Sequence, residues 1–322
     1  MQAIVQDNYG SGEALELREI ERPGIGEHQV LVRVRAAGVN PADWAVMSGL
    51  PYIARPLYGF RRPKVSVRGT DVAGYVAVVG SGVTRFKVGD EVFGASTGSY
   101  AEYAAASEDE LALKPANLTF EQAATVPMAG LVALQAIRDH GQVHAGQTVL
   151  INGASGGIGT FAVQIAKALG AEVTAVASTR NLELLRAAGA DHVVDYSKED
   201  FTASGKRYDL ILDNVSNHSL SRLRGALTAT GVLIPNGGNF GNRWFSSAGR
   251  LIQARLMFRS GTQRAANFLV STNHDDLVAL KELIEAGKVT PVLDRTYPLS
   301  SAAQAIDHVG AGHAQGKVVI TV

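Results

Sequence analysis

Apolar and polar residues alternate in the first third of the chain, whereas the middle gathers its apolar residues into unbroken runs. Residues 29–37 set Val30, Val32 and Val34 against Leu31, Arg33 and Arg35, which suits a half-buried strand. Residues 70–79 read as another strand, followed by the turn Gly80-Ser81-Gly82 and the short run 88–92. Short strands punctuated by glycine predict a small barrel-like β domain. At Phe120 the regime changes, and apolar strands alternate with helical segments to about residue 240. That alternation predicts an α/β fold, a parallel sheet with crossover helices. Its strands are expected at 148–152, 172–177, 192–195, 210–213 and 232–235. The tail returns to a helix over 275–287 and a terminal strand over 317–322.

The stretch 148–170 is the most informative. A β-branched run is followed by Gly153-Ala154-Ser155-Gly156-Gly157-Ile158-Gly159, and then Phe161, Ile165, Ala166 and Leu169 recur at helical spacing. Strand, glycine turn and helix match the opening unit of a dinucleotide-binding fold, where glycines admit a pyrophosphate to the helix N-terminus. Ala154 stands in place of the first glycine of G-x-G-x-x-G, so a plain tight turn is the competing reading. The next strand, 172–177, ends at Ser178-Thr179-Arg180-Asn181. An NAD enzyme keeps a carboxylate there for the ribose 2′-hydroxyl. Hydroxyls and a guanidinium would instead bind a 2′-phosphate, which points to NADPH. The alternative for Arg180 is a solvated residue at a helix start.

Composition narrows the class. The chain has 322 residues, enough for two domains, and 46% of them are hydrophobic. Thirty basic and thirty acidic residues cancel, which argues against bulk electrostatic binding of nucleic acid. With no cysteine there is no disulfide, thiolate zinc site or Cys nucleophile. No apolar run is long enough for an integral membrane segment and the N-terminus lacks signal-peptide features, so a cytoplasmic protein is expected. His140, His144, His308 and His313 show no metal-ligand spacing and read as surface residues.

Two segments fit neither pattern. Residues 50–68 are rich in Arg, Pro and aromatics, and residues 239–264 are rich in Arg and large apolar side chains. In the second, Trp244, Ala248, Leu251, Ile252 and Arg255 fall near one helical face. A covering or subunit-contact helix and a membrane-surface helix are both open, and either segment could be a lid.

Together, Ala37-Gly38-Val39-Asn40-Pro41-Ala42-Asp43, Gly69-Thr70-Asp71-Val72-Ala73-Gly74, Val88 to Gly94, Tyr100-Ala101-Glu102-Tyr103, the glycine loop, Ala188-Gly189-Ala190-Asp191, Asp195-Tyr196 and Gly316-Lys317-Val318-Val319 resemble the medium-chain dehydrogenase/reductase superfamily over nearly the whole chain. The resemblance implies a GroES-like β-rich catalytic domain, residues 1–121 with 272–322, and a Rossmann doubly wound domain, residues 122–271. The active site would lie in the cleft between them. Zinc alcohol dehydrogenases of the superfamily carry a Cys just after the Ala-Gly turn, where this chain has Asn40-Pro41-Ala42-Asp43, and Gly-His-Glu where it has Gly69-Thr70-Asp71. A site without a Lewis acid is poor at oxidising alcohols but can reduce an activated acceptor. The chain is therefore similar to the zinc-free quinone oxidoreductase branch, whose members take quinones and α,β-unsaturated carbonyls and use NADPH.

Residue by residue, the resemblance puts Ala154, Ser155, Gly156, Gly157 and Ile158 at the pyrophosphate. It puts Ser178, Thr179, Arg180 and Tyr196 around the 2′-phosphate and adenosine. Asn214, Val215, Asn236 and Gly237 would approach the nicotinamide, and Lys317 would close the cofactor site. Asn40 would lie at the cleft floor with Asp43 one turn on. Asn40 could equally be a turn residue, and Asp43 an N-cap or buried structural acid. Val132 and Ala45 stand where relatives often have Thr and Tyr, so the pocket is expected to be less polar. Tyr52 and Tyr58 could donate a proton or simply pack. The resemblance also implies a homodimer, through the sheet edge around 232–270. An enoyl-thioester reductase and an NADPH-binding structural or regulatory protein are the alternative functions.

Overall fold

The computed structural model describes residues 1–237, 248–312 and 314–322. Trp244 and His313 lie outside the described residues, as does the first part of the 239–264 segment. The chain forms two compact units. One takes residues 1–131, 271–287 and 291–322, and the other residues 132–270 with 288–290.

The first unit is built on the strand Gln29–Val39, whose alternating pattern buries Val30, Val32 and Val34 and exposes Arg33 and Arg35. Antiparallel partners on its two sides are Asp71–Val79 and the chain's last strand, Lys317–Thr321. Leu293–Pro298 pairs parallel with that last strand, while Glu91–Ala95 and Leu111–Leu113 extend the other side. Tyr103–Ser107 also pairs with Gln29–Val39, so the sheet folds over itself around a valine-rich core. At the end of Gln29–Val39 the chain turns at Asn40 into the helix Pro41–Ser48, with Pro at its first turn.

The second unit holds a six-stranded, wholly parallel sheet. Its spatial order is His192–Asp195, Glu172–Ala177, Thr148–Asn152, Tyr208–Asp213, Leu227–Pro235 and Arg264–Ala265. Counted along the chain this is 3-2-1-4-5-6, the doubly wound order. Helices cover both faces, so the strands are apolar on both sides; Val149, Leu150 and Ile151 are all fully buried. The order reverses between Thr148–Asn152 and Tyr208–Asp213, where Asn152 pairs with Asp213. At that switch point the backbone is crowded. A Cβ on Gly159 would stand 2.4 Å from the Gly153 carbonyl oxygen, so only glycine lets the helix Gly157–Ala168 pack this close to the loop.

The helix Ala248–Met257 differs from its expected face. Ala254 and Phe258 are the buried residues and join the sheet core, while Ile252 and Leu256 are each 63% exposed. The buried face runs through Leu251, Ala254 and Phe258, rotated about the helix axis from the expected one, because Phe258 just beyond the helix anchors its end in the core. Among the described residues, no helix is long and apolar enough to cross a membrane.

Candidate active site

In the first unit the end of Gln29–Val39 gathers a buried polar cluster. Asn40 is 3% exposed, Asp43 7%, Asp71 1%, Lys317 3% and Tyr100 fully buried. The Lys317 ammonium donates to Asn40 Oδ1 at 2.5 Å and to the Val39 carbonyl at 3.2 Å. Asn40 Nδ2 donates to Asp71 Oδ2 at 2.9 Å, and Lys317 Nζ is 3.7 Å from the same oxygen. A cation at one end of the amide and an anion at the other leave it a single orientation. One of its two N–H bonds is spent on Asp71; the second has no described partner.

Asp43 sits on the first turn of Pro41–Ser48. Its Oδ2 accepts from the Asn40 backbone N–H and from the Tyr100 hydroxyl, both at 2.8 Å. The N-cap is thus Asn40, and Asp43, the third helical residue, makes the return bond of a capping box rather than being the N-cap itself. Burial pushes its carboxyl up to about 6, against the pull of those two hydrogen bonds. Burial also raises Asp71, opposed by Lys317, and lowers Lys317, opposed by Asp71. Burial raises Tyr100 as well, and the adjacent Asp43 adds to the shift.

In the second unit the glycine loop leads into the helix Gly157–Ala168 at Gly156, whose N-cap position has no side-chain cap. The first-turn N–H groups are thus left for an anion. A Cβ on Gly156 would meet nothing nearer than 3.6 Å, so the loop is open on that side. Asn181 Nδ2 donates to Ser155 Oγ at 2.9 Å and to Ser178 Oγ at 3.3 Å, tying the glycine loop to the end of the next strand. Asn181 Oδ1 and Asn214 Nδ2 are buried with no partner among the described residues. Unpaired polar atoms beside an open glycine loop, at a switch point, fit a dinucleotide.

Both halves of the chain match models of known families. Residues 26–116 match the alcohol dehydrogenase GroES-like domain, and residues 188–320 match zinc-binding dehydrogenase. The bovine (Bos taurus) mitochondrial NAD(P)H oxidoreductase RTN4IP1 is 37% identical over 100% of this chain and 89% of its own length. The chloroplastic NADPH-dependent alkenal/one oxidoreductase of Arabidopsis thaliana is 35% identical over 99% of this chain and 79% of its own. The quinone oxidoreductase structure from Coxiella burnetii superposes with a TM-score of 0.87 at 32% identity, covering 100% of this chain and 99% of that one. The chain belongs to the medium-chain dehydrogenase/reductase superfamily, in its quinone oxidoreductase-like branch.

Within that superfamily frame, the structure gathers the expected residues into two groups. Asn40, Asp43 and Lys317 meet in the first unit, and Lys317, expected at the cofactor, spends its ammonium on Asn40, Val39 and Asp71. Tyr52 and Tyr58 are half-buried in the same unit, Tyr52 with the Arg55 guanidinium over its ring. Ala154, Ser155, Gly156, Gly157 and Ile158 follow the first strand of the parallel sheet; Ser178, Thr179 and Arg180 follow the second, and Tyr196 the third. Asn214 and Val215 follow the fourth strand, where Asn236 Nδ2 donates to Asn214 Oδ1 at 2.8 Å and Gly237 N donates to the Asp213 carbonyl.

Several partners escaped the sequence reading. Asp71 and Tyr100 sat in quoted motifs, yet only folding shows that they touch Asn40 and Asp43. Asp195, level with Ala177 across the parallel pair, brings a carboxylate near Thr179. Hydrogen bonds from Thr179 and Ser197 hold its pKa down at about 2, and Lys198 lies 3.5 Å away, so its charge is already answered. Asp213 is fully buried and paired with Arg250 at 2.9 Å. His140 and His308 are half-buried rather than on the surface: His140 stacks on Phe268 and His308 contacts Asp294 at 2.9 Å.

The raised carboxyl of Asp43 has a thermodynamic consequence. A carboxyl near 4 in the unfolded chain and about 6 when folded contributes stability that is fully present below about pH 4. That contribution is lost as pH rises through about 6. Asp43→Asn keeps an oxygen for Asn40 and Tyr100 but cannot ionise. Its melting temperature relative to wild type should therefore be higher at pH 7.5 than at pH 4.5; a difference independent of pH would contradict the assignment.

Proposed function

We propose that this protein is an NADPH-dependent reductase that delivers a hydride to a quinone or an α,β-unsaturated carbonyl without zinc. The Asn40 amide carries the reading: it is locked between Lys317 and Asp71 with one N–H left over. NADPH, when bound, supplies the hydride. Addition of hydride to the acceptor leaves negative charge on its oxygen, and a fixed, water-excluded donor stabilises such charge by about 3 kcal/mol. Solvent can then protonate the enolate-like product, so no side-chain acid is required. The names of the relatives support an NAD(P)H oxidoreductase acting on quinones or enones.

Zinc independence rests on the chemistry of the cluster. Asn40 offers a neutral oxygen where zinc enzymes offer a thiolate, and an ammonium already occupies that oxygen. A second, doubly charged cation beside a buried Lys317 would be repelled. Metal analysis of purified protein should find less than stoichiometric zinc, and exhaustive chelation should leave turnover intact; loss of activity that zinc restores would refute this. A homodimer through the sheet edge at Arg264–Ala265 is supported by Leu269, 95% exposed nearby in the chain. Light scattering at micromolar concentration should give the dimer mass, and a monomer would refute it.

For the cofactor, the Gly157 and Ile158 N–H groups, with the Gly156 backbone beside them, would receive the pyrophosphate. Ser178, Arg180 and Tyr196 would take the 2′-phosphate, and Asn214, Val215, Asn236 and Gly237 the nicotinamide side. A charge-assisted bond from Arg180 to that phosphate contributes about 1.5–3 kcal/mol, or roughly 10- to 150-fold in affinity. The phosphate is remote from the reacting carbon, so Arg180→Ala should raise KM for NADPH and leave kcat nearly unchanged. Ser178→Asp should shift preference toward NADH by repelling the phosphate and accepting from the ribose hydroxyl. Steady-state kinetics with both cofactors and one quinone test this. Equal losses with NADH and NADPH in Arg180→Ala, or a wild type that prefers NADH, would overturn the assignment.

A further inference from the structure

Between Asp43 and Asp71 the chain carries Arg55, Arg61, Arg62, Lys64 and Arg68 but no acidic residue. Two of these cations turn inward, toward Tyr9. Arg55 lies over the Tyr9 ring at 4.8 Å and over the Tyr52 ring at 4.7 Å, and its Nε donates to the Gly49 carbonyl at 3.0 Å. Two ring faces and one anchoring hydrogen bond fix the plane of the guanidinium fork. No carboxylate of the described residues closes that fork.

Arg68 is stranger. It is only 5% exposed, its Nε is buried without a partner, and no described hydrogen bond or ion pair uses its guanidinium. Asp43, Tyr9 and Tyr100 are its electrostatic neighbours, and loss of hydration is the largest influence on it. The Ser99 hydroxyl, in contact range of Gly69, is fully buried and also unpartnered. Asp43 is the strongest charge acting on Arg68, but no described hydrogen bond joins the two side chains, and Asp43 Oδ2 already takes two donors. A buried guanidinium nitrogen without an acceptor is costly, and a ligand oxygen would supply one.

We propose that Arg55 and Arg68 form a receptor for a carboxylate carried by the acceptor, so that the substrates are quinones or enones bearing an acid group. A carboxylate supplies the in-plane oxygen pairs that planar guanidinium forks match, and its charge adds to that of Asp43 in offsetting two cations. This rests on reading the first unit as the acceptor half of a reductase. The same chemistry would hold a free inorganic anion, so the test separates the two.

Arg55→Met and Arg68→Met keep side-chain length without the charge. In the first arm no turnover is needed: benzoate should raise the melting temperature of wild type, benzamide and equimolar sulfate should not, and the benzoate shift should vanish in Arg68→Met. In the second, with saturating NADPH, a carboxylate-bearing benzoquinone should be favoured over its methyl ester in kcat/KM. That ratio should fall about tenfold or more in each variant. Without ligand, Arg68→Met should melt at or above wild type, because an unpaired buried charge is gone; a purely structural arginine would give a lower melting temperature.

A benzoate shift and an acid-to-ester ratio unchanged in both variants would overturn the proposal. So would a sulfate shift equal to that of benzoate with an unchanged ratio, which would mark a free-anion site. If neither quinone is reduced, the reductase reading fails, and the benzoate arm alone decides the receptor.

Discussion

One buried ion pair organises the first unit of this molecule. Asp71 and Lys317 are almost wholly removed from water, and each regains part of its lost hydration from the other and from Asn40, with the Val39 carbonyl helping Lys317 and the Met128 N–H helping Asp71. Removing either partner would leave an uncompensated buried charge, which is strongly destabilising. The pair can form only when the chain's last strand, Lys317–Thr321, docks against Gln29–Val39. Closure of the sheet and orientation of the Asn40 amide are thus the same event.

The second unit solves a different problem by backbone rather than by charge. Its parallel sheet reverses order beside the glycine loop, and close packing at Gly159 brings the helix N-terminus to that point. Asn181 then ties the loop to Ser178 through two hydrogen bonds. Adjacent strands therefore share one rim, and residues far apart in sequence become neighbours at their carboxyl ends.

Much of this was legible in the chain. The strands Thr148–Asn152, Glu172–Ala177 and His192–Asp195 lie where their apolar runs predicted, because strands buried on both faces leave an unbroken signature. Tyr208–Asp213 and Leu227–Pro235 begin earlier than expected, since Asp209, Thr228 and Thr230 break the apolar run. Local patterning could not reveal contacts across long separations. Lys317 reaches Asn40 across 277 positions, and Asp71 reaches it across 31. Arg68 gave no signal at all: its meaning lies in its burial and its missing partners, which no window of sequence contains.

The account stands or falls on hydride transfer at the site that Asn40 orders. The most direct measurement is a single turnover with NADPH deuterated at nicotinamide C4 and a cyclic enone, followed by NMR of the product. One diastereotopic C4 position should deliver its deuterium to the β-carbon with no wash-out to solvent, and the α-carbon should take its hydrogen from water. Deuterium retained on the nicotinamide while NADPH stays bound would contradict the account and leave a dinucleotide-binding protein that reduces nothing.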